Sequence, residues 1–326
     1  MLKFSRRMIV AGLGSLMAFG AADAADWPQR PVTVVVSQAA GSSPDVLARI
    51  ITDKLSRTLG QQFIVENRPG AGNVVGTQSV ARANADGYTF LFGTSAALVT
   101  NPFTVKSLSY DPAKDFIAVS KVARSHLLLL VNPKIKANNL TELLALEKEA
   151  PGTLSIAVDG PRNISGLIAQ SINKQSGSKF VLVPYNNINN AVQDSITGRT
   201  PVTIQSASVV EAFIKDGSLR PIAVAGNQRV PSLPDVQSIS ENFKDIDLQG
   251  WFMVMAPAGT PEAIIDSMSK AIAKALAEPD VLARAPTLGF EIESGEIVTP
   301  AGAKAFLDAQ LVSTGKVIHS LGMEPN

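Results

Sequence analysis

Residues Val32 to Val36 form a short β-branched run, VTVVV, bounded by Pro31 and by the small residues Ala39 to Ser43. Its unbroken apolarity predicts a strand covered on both faces, as in a sheet with helices above and below it. The period then changes: Pro44 suits a first helical turn, and Val46, Leu47 and Ile50 recur at helical spacing. The same alternation of short apolar run and helical stripe continues along the chain. Strands are expected at 62–66, 88–92, 127–131, 154–158, 180–184, 202–205, 219–225 and 251–256, with helices over 140–149, 164–176, 191–196 and 209–215. A long amphipathic helix carrying Ile264, Ile265, Met268, Ile272 and Leu276, and a terminal helix from Pro300 to Val317, follow the last strand. Repeated units of this kind imply an α/β fold with parallel-type sheets.

The stretch 116–131 is strand-like with polar breaks and reads as a crossing into a second domain. Trp251 to Ala256 reads as the return. The expected division is a signal segment 1–24, a discontinuous first domain of 25–125 with 249–326, and a second domain of 126–248. Two crossings between two α/β halves make a hinged pair of lobes with a cleft between them.

Several strands end in small polar residues. The first is followed by Gly41, Ser42 and Ser43, which open a helix. The free N–H groups and positive dipole end of such a terminus seat an anion, an interaction of about 0.3–1 kcal/mol, or about 2 when partly buried. The second is followed by Gly70-Ala71-Gly72-Asn73-Val74-Val75-Gly76, which has one residue too many between its last two glycines for a dinucleotide fingerprint. The third ends in Gly93-Thr94-Ser95. In open α/β sheets this edge is where ligands sit.

Composition narrows the chemistry. The chain has 326 residues and a net charge of +1, with Lys and Arg scattered, so nothing argues for nucleic acid. There are no cysteines and two histidines, His126 and His319, far apart in sequence; this leaves no disulfide framework or thiolate chemistry and disfavours a metal centre. Lys3, Arg6 and Arg7, the apolar stretch 8–19 and Ala22-Asp23-Ala24 have the order of a secretory signal, with cleavage expected after Ala24. The mature protein is therefore expected to be soluble, exported and periplasmic.

The chain resembles the solute-binding receptors of tripartite tricarboxylate transporters, the Bug family. The likeness rests on WPQRPVTVVV, AGSSPDVLAR, VENRPGAGNVVG, DGYTFLFGTS, VPYNN, LPDV and WFMVMAPAGTP, and spans roughly residues 27 to 325. It implies a two-lobed type II periplasmic-binding-protein fold with the ligand cleft between the lobes. It also implies a small organic acid ligand held by main-chain amides and ordered waters at Gly41 to Ser43 and Thr94-Ser95. Delivery to the large and small subunits of a membrane permease, no cofactor and a monomeric state complete the expectation.

Departures from the family pattern supply the remaining site candidates. Ser37-Gln38 stand where Pro-Phe is common, and Ser42 replaces a glycine. Asn73 opens the second turn. The turn Gly160-Pro161-Arg162-Asn163 offers an arginine whose planar fork suits a carboxylate, with solvent or Asp159 as its alternative partner. Tyr185-Asn186 ends a strand on the same edge. Gln205 and Ser206 stand where amino-acid-binding members carry an acidic residue, so a ligand without an amine, a dicarboxylate or aromatic acid, is expected. Asp45 and Arg49 are four residues apart on a helix and are assigned to each other. The rival readings are a ligand sensor for a signalling partner and an α/β enzyme, but no Gly-x-Ser-x-Gly elbow or complete phosphate loop is present.

Overall fold

The computed structural model describes residues 27–325 apart from 186, 227, 231, 244, 245 and 247. The expected signal segment and Asn186 therefore lie outside the described residues. In chain order the elements begin with β1 (Val32–Val36), α1 (Ser43–Leu59), β2 (Phe63–Asn67), α2 (Val74–Ala81), β3 (Thr89–Thr94), a π-helical turn over Ala96–Thr100 and α3 (Asn101–Thr104). Two strands, β4 (Phe116–Ser125) and β5 (Leu127–Val131), then follow with one residue between them. Next come α4 (Leu140–Glu149), β6 (Ser155–Val158), α5 (Ile164–Ser176), β7 (Val181–Pro184), α6 (Ile188–Thr197), β8 (Val202–Ser206), α7 (Ala207–Lys215) and β9 (Arg220–Ala225). The chain closes with β10 (Gly250–Pro257), α8 (Glu262–Leu276), α9 (Pro279–Thr287), β11 (Phe290–Ile292) and α10 (Pro300–Ser320).

The strands form two sheets, ordered β11-β4-β10-β3-β1-β2 and β7-β6-β8-β5-β9. Each is covered on both faces, which is why its strands read as continuous apolar runs. On the first sheet Val32, Val34 and Val36 enter one core with Leu47 and Ile51, while Val35 enters the other with Val80 and Leu91. On the second, Leu129 and Val131 pack with α5, and Leu128 and Leu130 with Val192 and Val210 of the opposite face.

The sheets are mixed, which corrects the expectation of parallel pairing throughout. β10 runs antiparallel to β3 and β4, and β5 runs antiparallel to β8 and β9. Both belong to the crossings. A chain that leaves one sheet at its cleft edge enters the next from that edge, so β5 runs against its neighbours. β1, β2 and β3 in the first sheet, and β6, β7 and β8 in the second, are parallel within their sheets and end at the edge facing the other lobe.

The last helix spans both lobes. Ala303 and Leu307 pack with Trp251 of the first sheet's core, whereas Ile318 is buried in the core of the second. Phe103 of α3 packs against that second core too.

Candidate functional site

The N-terminus of α1 is left open by its own sequence. Ser42 is the N-cap residue, with φ −71° and ψ 161°, but its side chain makes no capping hydrogen bond. The hydroxyl is buried and has no partner among the described residues. Pro44 brings no N–H, and the N–H groups of Ser43 and Asp45 meet no acceptor among the described residues. Three groups in this turn can therefore donate toward the second lobe.

Asp45 is turned away from that terminus. Its carboxylate accepts from Gly41 N–H at 2.8 Å and Asn67 Nδ2 at 2.9 Å, and it pairs with Arg49 at 2.9 Å, as the helical spacing predicts. Burial alone would push this carboxyl up, but the Arg49, Gly41 and Asn67 donors together hold it below the ordinary carboxylate range. Its role is to brace the loop 38–41, a brace completed by Asn67 Nδ2 donating to Gln38 O at 3.0 Å.

Two further turns reach the same edge. Ser37 Oγ donates to Asn73 Oδ1 at 3.2 Å, tying the end of β1 to the start of α2. Here the glycine-rich motif has a packing reason: a Cβ on Gly76 would stand 2.6 Å from Arg68 O and 2.8 Å from Ser37 Cα. Only a glycine lets α2 lean this closely on β1. After β3, Thr94 Oγ1 accepts from Ala97 N–H at 3.2 Å, and Thr94 and Ser95 are both buried.

A cluster of hydroxyls joins the lobes at the hinge. Ser43 lies 3.3 Å from Ser125 and 3.2 Å from Ser206, Ser125 lies 2.8 Å from Ser206, and Ser206 lies 2.9 Å from Ser208. Ser43 and Ser206 are thus in contact across the lobe boundary. Ser125 and Ser208 are not among the sequence candidates, since neither lies in a glycine-rich turn and only the fold brings them to α1.

The second lobe differs from expectation. Arg162 makes no ion pair with Asp159 among the described residues; its Nη1 donates to Thr104 O at 3.0 Å and also to Glu324 O. The long side chain reaches main-chain carbonyls of α3 and the C-terminal tail, and so links the lobes. Tyr185 gives its hydroxyl to Asp194 at 2.8 Å and shares it with Thr200 at 2.9 Å, an arrangement internal to the second lobe. Gly160 and Asn163 shape the turn that opens α5, with Asn163 Nδ2 donating to Asp159 O at 2.9 Å.

At the ends of β6 and β8 two acceptors remain. Gln205 is buried, its Nε2 donates to Thr203 Oγ1 at 2.9 Å, and its Oε1 has no partner among the described residues. Asp159 accepts from Ser165 Oγ, and burial pushes its carboxyl up in spite of the Ser165 and Asn163 donors. Asp159 stands directly after the apolar strand SIAV, and its bonds to Ser165 and Asn163 brace the turn that opens α5.

A cavity of about 380 Å³ lies on the other flank of the hinge, bordered by Arg124, His126, Arg229 and Phe290. Its arginines are already engaged, Arg124 with Glu293 at 3.0 Å and Arg229 with Glu241 at 2.7 and 2.9 Å. The unengaged donors described above are instead at the loop after β1.

Two sheets joined at a short hinge, with open loops facing each other across it, define a two-lobed binding protein of the periplasmic type. Residues 47–323 match the profile described as tripartite tricarboxylate transporter family receptor. A UPF0065 protein of Bordetella bronchiseptica is 35% identical over 98% of this chain and 94% of its own length. Two solved structures share the fold: R. palustris Rpa4515 with adipate, at 30% identity, TM-score 0.86 and coverage of 92% and 100% of the two chains; and MatC from Rhodopseudomonas palustris with bound malate, at 27% identity, TM-score 0.82 and coverage of 90% and 100%. The chain belongs to the tripartite tricarboxylate transporter receptor family.

Proposed function

We propose that this protein captures a small organic carboxylate in the periplasm and delivers it to the large and small membrane subunits of a tripartite tricarboxylate transporter, without catalysing a reaction. In this reading the lobes, 25–125 with 249–326 and 126–248, close on the ligand. The observation that carries it is the open first turn of α1. Its unengaged N–H groups, the buried Ser42 hydroxyl and the dipole end face the second lobe, and together they suit a carboxylate. Ser37, Gln38, Asn73, Thr94 and Ser95 surround that seat from neighbouring loops. The adipate and malate of the two related structures are ligands of the same chemical class.

The test is a thermal-shift screen of residues 25–326 against aliphatic dicarboxylates, tricarboxylates, aromatic acids and amino acids. A ligand present at about a hundred times Kd adds about 2.7 kcal/mol to the native state, a clearly visible shift. Stabilisation by one class of acid supports the reading. A flat response from a folded protein to every acid overturns it.

A further inference from the structure

Behind the loops of the first lobe's ligand edge lies a hydrogen-bonded clamp, and Pro102 is its origin. In the π-helical turn after β3 the N–H of Asn101 donates to Ala96 O, five residues back. The same pattern would bring the N–H of residue 102 to Ala97 O, but a proline has none. The hydroxyl of Tyr110 takes that place and donates to Ala97 O at 2.7 Å. Tyr110 is buried, which pushes its hydroxyl up to about 12 although the Asn101 and Thr77 side chains oppose the shift. The phenol therefore stays protonated, and a donor, in neutral solution.

The clamp continues into a second loop. Tyr110 Oη accepts from Asn101 Nδ2 at 3.2 Å, and the same amide nitrogen donates to Gly72 O at 2.8 Å. One buried amide thus joins the turn after β3 to the turn after β2. That second turn is the strained one. Among the described residues, the residues other than glycine at positive φ are Ala71, at +45°, and Asn73, at +77°, on either side of Gly72. Left-handed backbone at such residues persists where the surroundings hold it in place. Three bonds hold this turn: Asn101 Nδ2 on Gly72 O, Ser37 Oγ on Asn73 Oδ1, and Thr77 Oγ1 on Asn73 O at 2.8 Å. Of the three, the Asn101 bond ties it to the turn after β3.

We propose that Tyr110 and Asn101 are positioning residues for the ligand: acting through Ala97 and Gly72, they fix the spacing of the turns that carry Asn73 and Thr94-Ser95, so that the first lobe meets the ligand already formed. This rests on the carboxylate-receptor reading and deepens it. In this role neither side chain touches the ligand. Their effect is on the fraction of molecules whose seat is assembled before binding. A seat assembled only part of the time lowers the apparent affinity by that fraction, and the association rate falls with it.

The test compares Tyr110→Phe and Asn101→Ala with the unaltered protein, all as residues 25–326. Without ligand, the amides of Val74, Val75 and Thr77, which close the strained turn, should exchange about tenfold faster in both variants. Calorimetry and stopped-flow binding then use whichever of succinate, malate, adipate, citrate and phenylpropionate binds the unaltered protein. Its Kd should rise about tenfold, mainly through slower association. Ile265→Ala, in the core on the opposite face of the same sheet, is the control for lost stability. Unfolded molecules alter the calorimetric stoichiometry rather than Kd, so this distant variant should keep Kd within about twofold. Should Tyr110→Phe fail to fold, Asn101→Ala carries the test, since it leaves the bond from Tyr110 to Ala97 O in place. If an acid binds and both clamp variants match the unaltered protein or Ile265→Ala in Kd and association rate, the clamp is refuted and the carboxylate reading stands. Binding of none of the five acids by the unaltered protein refutes that reading, and the role in binding with it.

Discussion

Lys121 projects from β4 with no exposure, and its ammonium is met by Glu293, the residue after β11, and by the ring of Phe306 at 4.1 Å. Burial pulls this lysine below its ordinary range although the Glu293 carboxylate opposes that shift. The partners are not equivalent. Glu293 also receives Arg124 at 3.0 Å, so it keeps a cation when Lys121 is removed, whereas Lys121 has no second carboxylate at bonding distance among the described residues. Glu293→Ala should therefore destabilise the protein by about 3–5 kcal/mol, the cost of stranding a buried charge, while Lys121→Met should cost distinctly less. Urea unfolding of the two variants checks the asymmetry; equal losses would contradict it. The pair ties the segment after β11 to β4.

At the level of elements, the first crossing between the lobes is a single residue strapped from both sides. His126 lies between β4 and β5; its N–H donates to Gly289 O at 3.4 Å and its carbonyl receives Ala207 N–H at 2.9 Å. Gly289 has φ +72°, and a Cβ there would come within 2.4 Å of the Ala207 Cβ. Gly289→Ala should cost about 1–3 kcal/mol from overpacking, added to the strain of a left-handed alanine. The double variant with Ala207→Gly should recover the packing part but not the backbone part, which thermal unfolding of the three proteins would resolve. Failure of Ala207→Gly to restore anything would mean that contact between the lobes is not what the glycine serves. This hinge also shows what sequence can carry. The apolar runs 127–131 and 251–256 announce strands and even crossings, because burial on two faces is a local property of side chains. Strand direction is not local, so the antiparallel setting of β5 and β10 is invisible in them. Likewise α9 and β11 are short, α9 carries Pro286 inside it, and Pro279 to Ile292 gives rise to no expectation. The loops after β1 and β3 are legible as small-residue turns at strand ends, whereas the reach of Arg162 depends on Thr104, 58 residues away, and on Glu324, 162 residues away.

For the molecule as a whole, the contacts that hold the lobes together among the described residues include the hydroxyl cluster around Ser206, the end of α10 buried against the second sheet, and the Arg162 bridge. The first and third differ in what they can do for a ligand. Ser43 and Ser206 sit beside the open turn of α1, so altering them changes closure and ligand surroundings together. Arg162 spends Nη1 on protein carbonyls that join the lobes, so its removal should weaken that junction without touching the ligand. A charged donor of this type contributes about 1.5–3 kcal/mol, which predicts an affinity loss of about ten- to a hundredfold for Arg162→Ala. The loss should be the same for monocarboxylates and dicarboxylates, because the bridge does not distinguish them, and it should be expressed mainly as faster dissociation. Calorimetry and stopped-flow measurements on one acid of each kind decide the matter. A penalty restricted to dicarboxylates would place the guanidinium on the ligand's second carboxylate and make the bridge to Thr104 an alternative seat; a uniform penalty would make Arg162 a part of closure, with specificity left to the loops on either side of it.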